Sequence, residues 1–217
     1  MPDVRSSTQG DAKVKTLYLA TVLALCGVVC ARGAASGEKG PALRVTAEVV
    51  GRRYCAAGKL NILQLSIRLR YQNVGGEKLI LYRGKNFFYQ TKIRGGAAGK
   101  PYEVVVLNSR YNDAQVEAVN DRRPGAAFIT LPPGGTYETA IVNGVGVTPG
   151  GPERVAHTIE PGEHTLQIGA STWYESRKLA EELRGRWRGE GLLWIDPVVT
   201  PPLKFDVGGD AAPPPCR

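Results

Sequence analysis

Histidine and cysteine are scarce in this 217-residue chain, with two of the first and four of the second. That supply is too thin for a multi-metal centre built on imidazole and thiolate. Lys and Arg number 28 against 20 Asp and Glu, yet no block of five or more like charges occurs. The net charge of +8 is therefore spread along the chain and does not mark a nucleic-acid partner. The apolar run near the N-terminus, residues 16–29, falls short of the roughly 20 residues that a membrane-spanning helix needs. No GXSXG elbow, P-loop or dinucleotide-binding glycine pattern is present, which leaves a hydrolase or a nucleotide-binding fold without motif support. What is there is ordinary globular material, 42% apolar and 22% charged with 27 Gly and 15 Pro, and it excludes a collagen, a coiled coil and a fully disordered chain.

The N-terminus reads as a targeting segment. Arg5, Lys13 and Lys15 precede the apolar run, and Gly33 and Ala35 place small side chains at the minus-three and minus-one positions before Ser36. A basic leader, a short apolar core and a small-residue cleavage site make a secretory signal peptide, so residues 1–35 are expected to be removed and the rest exported to the periplasm or exterior. Two other readings use the same segment. A lipoprotein signal would need a small residue before its cysteine, where Cys26 has Leu25 and Cys30 has Val29, and an uncleaved leader would tether the domain to the membrane. Removing residues 1–35 takes away four basic and two acidic residues, which leaves 24 against 18, or +6.

Export changes the meaning of the remaining cysteines, because Cys55 and Cys216 then sit together in an oxidising compartment. A bridge between them would fasten the Pro-rich C-terminal tail, residues 208–217, to the loop after the first strand. Closing so long a loop is worth about 5 kcal/mol in the chain-entropy model. The alternative is a free Cys216 on the tail, available for pairing between molecules.

Period-two apolar patterns fill residues 36–207. Leu43, Val45, Ala47 and Val49 alternate with polar residues, as do Leu63, Leu65, Ile67, Leu69 and Tyr71. The Asn73–Val74–Gly75–Gly76 turn then predicts a hairpin, with residues 79–82 as the returning strand. Further strands are expected over 87–93, 102–107, 128–131, 137–142, 164–170 and 202–207, and a long loop over 109–124. One segment has helical spacing: Leu179, Leu183 and Trp187 recur at four-residue steps, with Thr172 and Glu175 as a capping box. Eight or nine short strands with turn signals between them specify an all-β antiparallel sandwich carrying a short helical insert before its last strand.

Residues 60–82, 131–142 and 160–168, with their long strand, Asn-containing turn and Pro-Gly turns, resemble exported bacterial immunoglobulin-like domains. They are distantly similar to the bacterial intracellular proteinase inhibitor family as well. The resemblance implies an immunoglobulin-like β-sandwich. No residue of this chain matches an inhibitory position, so it implies no reactive segment.

Candidate chemistry is sparse. His157 and His164 flank a turn holding Glu160 and Glu163, without the local spacing of a zinc site. Asn112, Asp113, Glu117, Asn120 and Asp121 offer oxygen ligands without the EF-hand pattern. No metal, cofactor or catalytic residue is assigned, and paired glycines such as Gly95–Gly96 and Gly150–Gly151 read as turns. The insert is the candidate partner-binding element, because Trp173, Tyr174, Trp187 and Trp194 cluster in or beside it and aromatic rings stack on sugars or anchor proteins. Its Arg177, Lys178, Arg184, Arg186 and Arg188, beside Glu175, Glu181 and Glu182, read as a mutually paired solvated face or a basic patch. The expectation is an exported, noncatalytic domain that binds a protein or a glycan.

Overall fold

Alternation of apolar and polar residues converts directly into two-faced strands. The computed structural model describes residues 42–58, 60–82, 88–96, 101–108, 122–148, 156–173, 175–208 and 213–216, all within the unit Pro41–Arg217. The expected leader, the oxygen-ligand cluster in residues 109–121, Gly150, Gly151 and Tyr174 lie outside them. In chain order the strands are β1 (Leu43–Ala57), β2 (Leu60–Asn73), β3 (Leu79–Tyr82), β4 (Phe88–Gly95), β5 (Tyr102–Asn108), β6 (Phe128–Leu131), β7 (Thr136–Val147), β8 (Thr158–Ile159), β9 (Gly162–Ser171), β10 (Leu192–Trp194), β11 (Val198–Val199) and β12 (Leu203–Val207). Helix α1 (Arg177–Arg186) lies between β9 and β10.

The architecture is an all-β sandwich. One layer has the order β1-β2-β7-β8, and the other has β11-β9-β4-β5 with β12 also paired to β9. Leu63, Leu65, Ile67, Leu69 and Tyr71 of β2 are buried, and they share a core with Tyr89 and Ile93 of β4, Leu166 and Ile168 of β9, and Phe205 of β12. Arg68 and Arg70 point the other way into solvent. Hydrogen bonds cross between the layers: Asn143 Nδ2 on β7 donates to Thr91 Oγ1 on β4 at 2.6 Å, the Tyr71 hydroxyl donates to that of Tyr89 at 3.4 Å, and Arg52 Nη1 on β1 donates to the Asp206 carbonyl on β12 at 2.9 Å.

The structure corrects several expectations, each for a physical reason. Strand β3 does not return alongside β2 but leaves that layer, pairing antiparallel with β6 and parallel with β10. All four of its residues are buried, since Leu79 and Leu81 face the main core and Ile80 and Tyr82 face a second cluster beneath α1. Strand β1 runs past Val49 because a bulge between Val49 and Gly51 absorbs Val50 and shifts the inward phase, so that Tyr54 packs on the core. Strand β7 continues through Asn143, Gly144 and Gly146, residues that resemble a loop in sequence. Asn143 is satisfied by Thr91, and at Gly146 a Cβ would come within 3.0 Å of Thr158 Cγ2. Twelve strands are present among the described residues, more than the eight or nine expected.

The tail is fastened where its cysteine suggested. Cys55 and Cys216 form a disulfide across 161 residues, but Cys55 lies inside β1 rather than in a loop after it. Ala56 N–H donates to the Pro214 carbonyl at 2.8 Å and Cys216 N–H donates to the Ala56 carbonyl at 3.0 Å, so the tail adds a short parallel bridge to the edge of β1. Among the described residues no helix is long and apolar enough to cross a membrane.

Candidate functional site at the helical insert

Helix α1 begins at Ser176, whose hydroxyl accepts the Leu179 N–H at 3.1 Å. Ser176, not Thr172, is therefore the N-cap. Thr172 is buried and donates through its hydroxyl to the Trp194 carbonyl at 3.4 Å. At the other end Arg184 and Arg186 set positive charge beside the negative pole of the helix dipole. The chain then turns at Gly191, which has φ of +144°, and a Cβ there would sit 2.7 Å from the Lys78 carbonyl that pairs with Leu192 N–H.

The inner side of the helix is an aromatic core. Ala180, Leu183 and Trp187 pack with Ile80, Tyr82, Phe128, Trp173 and Leu193. Phe128 meets Trp187 edge-on at 4.8 Å between ring centroids, and Tyr82 meets Trp173 edge-on at 5.6 Å. Burial pushes the Tyr82 phenol above its ordinary range, and the nearby Glu175 carboxylate adds to the rise.

This packing removes the indoles from the candidate binding surface. Trp187 is completely enclosed, while Trp173 and Trp194 are only 9% and 8% exposed. Their ring nitrogens are used internally, Trp173 Nε1 donating to the Ser176 carbonyl at 3.3 Å and Trp194 Nε1 to the Asp196 carbonyl at 2.7 Å. Trp173 and Trp187 fasten the insert to β3 and β6, while Trp194 on β10 packs into the main core. They offer no exposed coplanar pair on which a sugar could stack.

The outer side is different. An open cleft of about 650 Å³ lies between the helix end and the turn before β3. Glu181, Arg184, Gly185 and Arg188 line one wall, Glu77 and Lys78 the other, and Gly189, Glu190, Gly191 and Leu192 complete it. The Glu77 wall is set by Asn73, fully buried, whose Nδ2 donates to the Glu77 carbonyl at 2.7 Å and to the Leu131 carbonyl at 2.9 Å, while its Oδ1 accepts the Gly75 N–H at 3.0 Å. The helix wall is set by Arg184, whose Nε–H donates to the Leu193 carbonyl at 2.9 Å. Glu190 is held by Arg123 at 3.3 Å. Lys78, Arg184 and Arg188 form no ion pair among the described residues.

The histidines are separated in role. His157 is exposed in a turn with a positive φ of 62°. His164 is buried against Phe205, with Nδ1 donating to the Gly162 carbonyl at 2.9 Å, since a carbonyl can only accept, and Nε2 hydrogen-bonded to the Tyr102 hydroxyl at 2.6 Å. The Tyr102 oxygen in turn accepts the Glu160 N–H at 2.9 Å. Gly95 is packed directly on this pair, since a Cβ there would lie 2.5 Å from His164 Nε2. Among the described residues no group of three His, Cys, Asp or Glu side chains is placed to hold a metal ion.

No protein-family model matches the chain, and no curated protein matches it either. Among solved structures the chain is similar to a structural-genomics target, SoR45, at 12% identity over 77% of this chain and 86% of that one, with a TM-score of 0.35. It is also similar to a candidate ApaA protein from Bordetella pertussis, at 12% identity over 77% of this chain and 97% of that one, with a TM-score of 0.33.

Reading the sequence for aromatic residues missed the cleft. Two of its signals were present: a glycine, Gly185, inside a helical pattern, and cations at 184 and 188, each one step round from the buried Leu183 and Trp187. Its second wall, Glu77 and Lys78, had no local signal at all, because it is brought to the helix by the parallel pairing of β10 with β3.

Proposed function

We propose that the chain is an exported, noncatalytic interaction domain, an immunoglobulin-like sandwich that holds a partner protein in the cleft beside its helical insert. The two facing, mainly antiparallel layers support the immunoglobulin-like reading: β1-β2-β7-β8 lies against β11-β9-β4-β5, with β12 also on β9, and chain connections cross between them. The Cys55–Cys216 bond fits an oxidising compartment. The burial of all three indoles favours a protein partner over a glycan.

The observation that carries the reading is the cleft itself, with three cations that find no ion pair among the described residues. The test is to fill it. Gly185 faces the cleft, and nothing lies within 4 Å of a Cβ built there. Gly185→Leu should leave the fold intact and obstruct the opening, so cross-linking capture from the envelope should recover a partner with the wild type and lose it with the variant. Equal recovery by both proteins would place the contact elsewhere and refute the reading.

A further inference from the structure

The cleft has a chemistry as well as a shape. Arg184 is pre-oriented, because its Nε–H is committed to the Leu193 carbonyl and its guanidinium is half-buried at the helix end. A guanidinium held in this way meets a carboxylate with little further ordering. Arg188, four residues on, and Lys78 on the opposite wall bring two further cations to the lining, and both are exposed. The lining holds three carboxylates as well: Glu190 is already held by Arg123, while Glu77 and Glu181 form no ion pair among the described residues.

That mixture of signs discriminates among anions. A dense polyanion, such as a sulfated glycan, would bring uninterrupted negative charge against Glu77 and Glu181 and be repelled there. An extended peptide with carboxylates at intervals would set its acidic side chains against Lys78, Arg184 and Arg188, and its backbone N–H groups against Glu77 and Glu181. The net charge of +6 that remains without residues 1–35 favours encounter with an acidic partner from the start.

Gly185 supplies an independent indication. It stands one position after Arg184 inside the helix, lines the cleft, and has no neighbour that a side chain would strike. Even in the last turn of a helix a glycine is less favourable than alanine, and packing gives no reason for it here. What its bareness does is keep the cleft open between Glu181 and Arg188.

We infer that the cleft is a carboxylate-reading groove for an acidic, extended segment of a partner protein, with Arg184 as its pre-oriented anchor. This rests on the reading of the cleft as the contact surface. The probe is a capped hexapeptide alternating Asp and Ser, titrated into the full chain by fluorescence anisotropy, with the Asn-for-Asp peptide and a sulfated oligosaccharide as comparisons. Saturable binding of the Asp peptide, at least tenfold weaker binding of the Asn peptide, and several-fold losses in Lys78→Gln and Arg188→Gln are expected. Affinity should fall steadily with added salt. Arg184→Lys, which keeps the charge but not the fork, should weaken binding as well. No saturable binding of the Asp peptide, equal binding of the two peptides, unchanged affinity in both Gln variants, or tighter binding of the oligosaccharide would overturn the inference. Gly185→Leu separates the two levels: a captured partner lost in Gly185→Leu but retained in Arg188→Gln leaves the cleft as the site and removes its carboxylate specificity.

Discussion

The two sides of helix α1 are built from opposite materials. Toward the sandwich it presents Ala180, Leu183 and Trp187, locked edge-on to Phe128 and dry. Toward solvent it presents Glu181, Arg184, Gly185 and Arg188 around an open cleft. Large aromatic residues drew attention to the insert in the sequence, yet in the structure they are what holds it in place. The side that can meet a partner is made of charges and a missing side chain. In a small sandwich that must dock an extra helix, aromatic density marks where hydrophobic area had to be buried, and the proposed contact surface lies on the charged side instead.

The largest effect expected from breaking this division is on the inner side. Trp187→Ala removes a fully enclosed indole from a cluster shared by α1, β3 and β6 and should destabilise the domain by about 3–5 kcal/mol. Urea denaturation measures it. A loss below about 1 kcal/mol would mean that the helix is not welded to the sandwich through this ring, and the contrast between its two sides would collapse.

How much of this was legible in the sequence depends on the distance over which each feature is encoded. Strand β2 announces itself, because Leu63 to Tyr71 alternate without interruption and its burial follows residue by residue. Strand β6 and the boundaries of β3 are equally local. The partner of β3 is not, since Leu79 to Tyr82 has no polar face to orient it, and its two faces are claimed by elements far along the chain. Asn143 looks like a strand terminator until its amide is seen to donate to Thr91 in the opposite layer. The Cys55–Cys216 pair could be named by elimination, but its place inside β1 depended on a bulge that hides the second half of that strand. For the cleft, the helix wall was visible as charges with a glycine among them, and the other wall was not, because only the β10–β3 pairing creates it.

A smaller effect is expected at the helix start, where the division between inner and outer sides begins. Ser176→Ala removes the acceptor for the Leu179 N–H and should lower stability by about 1 kcal/mol while leaving peptide affinity unchanged. The cap lies near the first turn, and the cleft is lined from Glu181 onward on the helix. A matched loss of affinity would show that the helix moves as a unit and that its inner and outer sides are not separable.

The smallest expected effect has the opposite sign. Gly185→Ala places a methyl group where nothing lies within 4 Å, at a position whose backbone is helical, so it should stabilise the domain by up to about 1 kcal/mol through helix propensity alone. The methyl group is too small to fill a cleft of about 650 Å³, and the Asp peptide should still bind, unlike the case of Gly185→Leu. Gains in thermal stability for both substitutions, with loss of binding only for leucine, would show that the position is held below its stability optimum by the shape of the cleft. A loss of stability in Gly185→Ala would instead mean that the helix needs the bare backbone there, and the openness of the cleft would then be a by-product of packing.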